Sequence, residues 1–126
     1  MLGWMLLKHL SYAGLFARSI LVSFASDYET AVDLLESLNT PAHKIASFEV
    51  VDLPLIRNVA STCKPMIMST GMASEDEIDE AVTTAREAGC KDLVALHCIS
   101  SSPAPMHQAN LRQIPELAKR FDVLAG

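Results

Sequence analysis

The stretch Lys64-Pro65-Met66-Ile67-Met68-Ser69-Thr70-Gly71, then Ser74-Glu75-Asp76-Glu77, then Leu93-Val94-Ala95-Leu96-His97-Cys98, decides the fold. Its first part is a short apolar run closed by small turn residues, the pattern of a buried strand. Ser74 and Glu77 have capping-box spacing, and the acidic residues that follow Ser74 stand where a helix macrodipole favours negative charge. Gly89 suits the residue just past a helix end. Leu93 to Cys98 is a second apolar run of strand length. A strand, a helix and a strand in this order predict a parallel pair.

The same alternation extends outward. Upstream, Lys44-Ile45-Ala46-Ser47-Phe48 reads as a strand, and Pro54 opens a helix whose apolar face is Leu55, Ile56 and Val59. Before it, Ser26-Asp27-Tyr28-Glu29 has capping-box spacing and starts a helix through Leu38, with Ala31, Val32, Leu34 and Leu35 at helical period. A helix over Leu2 to Arg18 and a strand over Ile20 to Phe24 come first. Downstream, Ser101 to Ala109 is a loop with Pro103 and Pro105, followed by a helix around Ile114 to Arg120 and the start of a strand at Val123-Leu124. Apolar strands alternating with helices predict a parallel sheet covered on both faces. A doubly wound sheet and an arc of a (β/α)8 barrel both fit, and a full barrel takes about 250 residues.

Composition narrows the function classes. The chain has 126 residues, half of them hydrophobic and a fifth charged, enough for one domain with a sizeable core. Net charge is −5 and the ten basic residues are scattered, which argues against nucleic acid as a partner. Cys63, Cys90 and Cys98 are odd in number and form no Cys-x-x-Cys, so reduced thiols are expected. Lys8, His9 and Arg18 interrupt the apolar N-terminus before it reaches the roughly 20 residues of a membrane span. A cytoplasmic protein with no membrane partner is expected.

Polar residues gather where the predicted strands end, which is where ligands bind in either architecture. Lys44 could pair with a phosphate or carboxylate, or be a solvated lysine at the start of a strand. Strict alternation puts Ser47 and Glu49 on one face and Lys44 on the other, so the three share a pocket only if the strand bends. Glu49 could orient a hydroxyl or serve as acid or base, or simply lead into the helix at Pro54. Ser69-Thr70-Gly71-Met72 suits an anion, since glycine allows close backbone approach, and also suits a plain turn. His97 and Cys98, adjacent on a strand, point to opposite faces and cannot chelate one ion; a packed histidine is expected. His9, His43 and His107 share no ligand spacing with it.

Four blocks in register resemble the nonulosonate (sialic-acid-type) synthases. They are Lys44-Ile45-Ala46-Ser47-Phe48-Glu49 with Asp52-Leu53-Pro54-Leu55-Ile56, Lys64 to Ala73, Leu96 to Pro105, and Asn110-Leu111-Arg112. The Ser47-Phe48-Glu49 form is more similar to pseudaminic acid synthases than to N-acetylneuraminate synthases, which more often carry a Gly-Ser-Gly-Glu form. The resemblance begins near Thr30.

That resemblance implies a partial (β/α)8 TIM barrel, about strands three to seven, with residues 1–126 a single incomplete barrel domain and the family's antifreeze-like C-terminal domain absent. It implies condensation of phosphoenolpyruvate with an N-acetylated amino sugar, release of phosphate, a divalent metal (manganese or magnesium) and a homo-oligomer. By position, Lys44, Ser47, Ser69 and Ser100 would hold substrate, and Glu49 would be the catalytic carboxylate beside the sugar aldehyde. No metal ligand is carried over, because the family's Ser-Asp-His motif would follow Ala125-Gly126. The family's Ser-Thr-Pro-Phe is Phe24-Ala25-Ser26-Asp27 here, and the Thr and Tyr of its Cys-Thr-Ser-x-Tyr-Pro motif are Ile99 and Ser102. Negligible activity is expected of the isolated chain; a non-catalytic remnant is the rival reading.

Overall fold

A computed structural model describes residues 28–126. Its elements are helix α1 (Tyr28–Ser37), strand β1 (His43–Ile45), helix α2 (Leu53–Ser61), strand β2 (Met66–Ser69), helix α3 (Glu75–Glu87), strand β3 (Leu93–Leu96), a 3-10 turn (Met106–Gln108), helix α4 (Gln113–Phe121) and strand β4 (Leu124–Ala125). The expected helix over Leu2–Arg18, the strand Ile20–Phe24 and the cap at Ser26 lie outside the described residues.

Local chemistry accounts for the helix ends. Ser74 Oγ accepts from the Glu77 amide at 3.3 Å, and Glu77 Oε2 accepts from the Ser74 amide at 2.7 Å, completing the capping box. The Ser74 amide and the Ser74 hydroxyl, which also donates to Glu77 Oε2 at 2.9 Å, hold the Glu77 carboxyl below its ordinary value. At the other end of α3, Gly89 has φ +108°, a conformation that penalises any Cβ. Helix α2 opens with Asp52 Oδ1 accepting from the Leu55 amide at 3.1 Å and Pro54 in the first turn, where its missing N–H is no loss.

The four strands pair in sequential order, β1-β2-β3-β4, all parallel. A doubly wound sheet reverses its strand order part-way across, and this sheet does not. Right-handed crossovers between successive neighbours put every helix on the same face. Burial agrees: Ile45, Met66, Met68 and Leu93 form one core with Val32 of α1, Ile56 of α2, Val82 of α3 and Phe121 of α4. The alternate row Lys44–Ile67–Val94–Leu124, fixed by the register, lies on the other face and remains partly or well exposed. The chain is therefore an α/β arc of a (β/α)8 barrel, with the described helices outside and no described element over the barrel interior. Where the apolar strands suggested cover on both faces, the described helices cover only one. The apolar inner row reflects a barrel's interior rather than a second helix layer.

Met68 is 0% exposed at the centre of this core. Met68→Ala is expected to lower stability by about 2–5 kcal/mol through lost burial and a residual cavity, measured as a shifted urea midpoint.

Candidate functional site

The site is built from the carboxyl ends of β1, β2 and β3. Strand β1 stops at Ile45, short of the expected Phe48, because the chain turns through Ala46–Val51. Glu49 makes that turn: its amide donates to the Ala46 carbonyl at 3.0 Å, and its Oε2 accepts from the Ala46 amide at 2.8 Å. Both ends of Glu49 are thus tied to one residue, and the side chain is 4% exposed. The bend breaks the alternation that would have set Ser47 opposite Lys44.

Strand β2 runs on into a loop sewn to both neighbours. The Thr70 amide and hydroxyl both donate to the Leu96 carbonyl, at 2.9 Å and 3.1 Å. The Gly71 amide donates to Ser47 Oγ at 3.3 Å. A Cβ on Gly71 would lie 2.6 Å from the Cys98 carbonyl oxygen, so glycine is required for the β2 and β3 ends to approach. Ser47, having accepted from Gly71, keeps its hydroxyl hydrogen as a donor. The helix start itself offers less than the sequence suggested, since the capping box occupies the Ser74 and Glu77 amides.

Lys44 is partly buried in the middle of β1, not at a solvated strand start, and lies level with Ile67 on the face away from the helices. Ser69 is buried and, two residues beyond Ile67, falls on that same face. Ser47 reaches the loop directly after Ser69. Ser100 is exposed in the loop after β3. Lys44 and Ser69 therefore share one face of the sheet, Ser47 is tied to the loop that follows Ser69, Glu49 is turned onto Ala46 and Ser100 stands on the exposed loop after β3.

A profile of the NeuB family matches residues 15–126. The chain belongs to the NeuB family. It is 46% identical over 95 residues to an uncharacterised protein of Methanocaldococcus jannaschii, covering 75% of this chain and 28% of that one. It is 42% identical over 104 residues to the pseudaminic acid synthase of Helicobacter pylori, covering 82% and 31%. The crystal structure of the spore coat polysaccharide biosynthesis protein SpsE of Bacillus subtilis superposes with a TM-score of 0.76 at 40% identity, covering 81% and 28%. The chain thus spans less than a third of the length of each of these proteins.

Two features of this NeuB-family site escaped the sequence. His97 is more than a packed histidine. Its Nε2 lies 3.0 Å from the Ala109 carbonyl, which can only accept, so the ring donates from Nε2 and fastens the loop that carries Ser100. Its amide donates to the Gly126 carbonyl at 2.8 Å, extending the ladder towards β4. A Leu-His-Cys run gives no hint of a partner twelve residues on. The loop tips Phe48, Met72, Met106 and Leu111 are also exposed and apolar, from 65% to 93%. A cleft of about 440 Å³ lies between α3 and α4, bordered by Thr70, His97, Glu75 and Arg120; the last two pair at 2.7 Å. None of Lys44, Ser47, Glu49, Ser69 or Ser100 lines it.

The cysteines are free: Cys63 is exposed, Cys98 half-buried and Cys90 buried, with burial pushing the Cys90 thiol above its ordinary value. Among the described residues no group of three or more His, Cys, Asp or Glu could hold a metal ion, and no helix is long and apolar enough to cross a membrane.

Gly71→Ala is expected to cost about 1–3 kcal/mol, since the added methyl meets backbone rather than a movable side chain. Thermal denaturation together with the Ser47, Gly71 and Cys98 amide shifts checks this; an unchanged melting temperature would remove the close-approach argument.

Proposed function

We propose that this chain is the part of a nonulosonate synthase barrel that grips phosphoenolpyruvate. The observation that carries the reading is the bond by which Ser47 Oγ accepts from the Gly71 amide, in the loop directly after Ser69, with Ser69 and Lys44 on one face of the sheet. One cation and two hydroxyls at parallel strand ends suit an anion whose phosphate and carboxylate need both charge and directed donors. Membership of the NeuB family, with a pseudaminic acid synthase among the relatives, supports the same substrate class.

In this reading C3 of phosphoenolpyruvate attacks the aldehyde carbon of an open-chain N-acetylated amino sugar, forming a carbon–carbon bond while the aldehyde oxygen takes up a proton to become a hydroxyl. Water adds at C2, and the C2 adduct expels phosphate to leave the keto acid. The product is a nonulosonic acid of the pseudaminic or sialic type. Lys44, Ser47 and Ser69 hold the phosphoenolpyruvate, and Ser100 contacts substrate from the loop that His97 fastens. Glu49 is the catalytic carboxylate: one oxygen stays on the Ala46 amide, and the other orients the sugar next to its aldehyde. The divalent manganese or magnesium that the resemblance implies finds no ligand set among the described residues. The homo-oligomer and the cytoplasmic setting belong to the same proposal.

A second reading, a chain that binds the anion without turning it over, is favoured by the partly exposed apolar inner row Ile67, Val94 and Leu124 and by the lack of a ligand set among the described residues. Phosphate release with manganese and a panel of N-acetylated amino sugars separates the two. The isolated chain is expected to release none, and metal-dependent turnover by pure protein would overturn that expectation while naming the sugar.

Binding tests the site itself. Phosphoenolpyruvate is expected to shift the Ser47, Ser69 and Gly71 amides, and Ser47→Ala to weaken binding roughly tenfold, the worth of one hydrogen bond to a charged group. Shifts confined to other parts of the chain would sink the proposed site.

A further inference from the structure

At the start of β1, opposite the ligand corner, three ionisable side chains meet. His43 is 3% exposed. Its Nε2 lies 3.0 Å from Glu36 Oε1 on α1, and Lys64 Nζ, in the turn before β2, lies 2.9 Å from that same oxygen. A carboxylate oxygen accepts, so the ring carries its proton on Nε2 and Nδ1 is a bare acceptor. Nδ1 is buried and has no hydrogen-bond partner among the described residues. A buried acceptor left this way calls for an explanation.

The space beside the ring provides one. Thr40, His43, Val32, Leu35 and Val59 border a cavity that offers about 10 Å³ to the centre of a water molecule, room for one. Thr40 Oγ1 donates to the Leu35 carbonyl at 2.9 Å, which leaves its oxygen able to accept. We propose that one buried water bridges His43 Nδ1 and Thr40 Oγ1, and that His43, Glu36 and Lys64 form an acid-released latch seating α1 on the sheet. The water donates one hydrogen to the ring nitrogen and the other to the threonine oxygen.

A second proton on the ring breaks this arrangement. Nδ1–H then needs an acceptor, so the water must turn over and give up a bond in surroundings otherwise apolar. The new cation also shares Glu36 with the Lys64 ammonium. Among the described residues the titratable groups facing His43 are Glu36 from α1 and Lys64 from the turn before β2. Lys44 also borders the cavity, and α2 presents Val59 there.

Burial pushes the His43 imidazole below its ordinary 6.5, while Glu36 pulls it up and Lys64 pushes it further down. Burial raises the Glu36 carboxyl, but hydrogen bonds and charge from Lys64 and His43 outweigh it and bring the group below 4.5. Both folded values lie under the unfolded ones, so the opened chain takes up protons first as pH falls. The latch is whole above pH 6.5, weakens below it as far as the folded His43 value, and then loses the Glu36 contribution below 4.5.

Amide hydrogen exchange in the whole 126-residue chain tests the latch. Between pH 6.5 and 5.5, corrected for intrinsic chemistry, the open population of α1 is expected to rise by up to about tenfold, with α3 changing less. His43→Phe should flatten that response; the same pH response in the folded variant would overturn the latch. Should the variant not fold, ¹⁵N titration of the wild-type ring decides: a proton on Nε2 and a midpoint below 6.5 support the latch, and a midpoint at or above 6.5 overturns it. A long-lived water contacting Thr40 supports the bridge, and its absence from that cavity overturns it.

Discussion

Everything in this chain depends on successive strands pairing parallel with their immediate neighbours. That one constraint forces a crossover after each strand, and the fixed hand of crossovers puts all of them on one side. The helices then share a single core with Ile45, Met66, Met68 and Leu93, while Lys44, Ile67, Val94 and Leu124 look away from it. It also sends every strand out of the sheet at the same end. Side chains far apart in sequence meet there without any sequence rule bringing them together.

The same constraint makes the strand ends mutually dependent. Ser47 leans on Gly71, Gly71 lies against Cys98, and Thr70 hangs from Leu96. Each bond is modest by itself, about 0.5–1.5 kcal/mol net for a neutral pair. Their value lies in geometry, because a hydroxyl already held by one donor points its hydrogen in a defined direction. Preorganisation of this kind is how a barrel of ordinary turn residues becomes a binding face.

The local features were readable in the sequence because their partners sit three or four residues away. The capping box Ser74–Glu77, the stop at Gly89 and the proline in the first turn of α2 are such cases. Choosing between a doubly wound sheet and a barrel arc was beyond pattern reading, since both repeat the same strand-helix unit and differ only in spatial order. Glu49 misled for a related reason. An apolar run implied alternation to the end, whereas its carboxylate takes the Ala46 amide and bends the chain early. His43 and Glu36, seven residues apart and on different elements, obey no spacing rule, and neither does the bond from His97 to Ala109. The family resemblance supplied the proposed ligand corner, which composition and period alone left open between a site and a plain turn.

The three thiols lie at graded depths, and that turns the chain into its own clock. A thiol-selective reagent finds Cys63 on the surface, finds Cys98 half shielded, and meets Cys90 only when the core admits it. Burial also keeps Cys90 protonated, which slows its reaction beyond mere access. The order of labelling therefore separates surface breathing from true parting of α3 and β3, with no probe introduced by mutation. The last thiol to react times how often this arc comes apart.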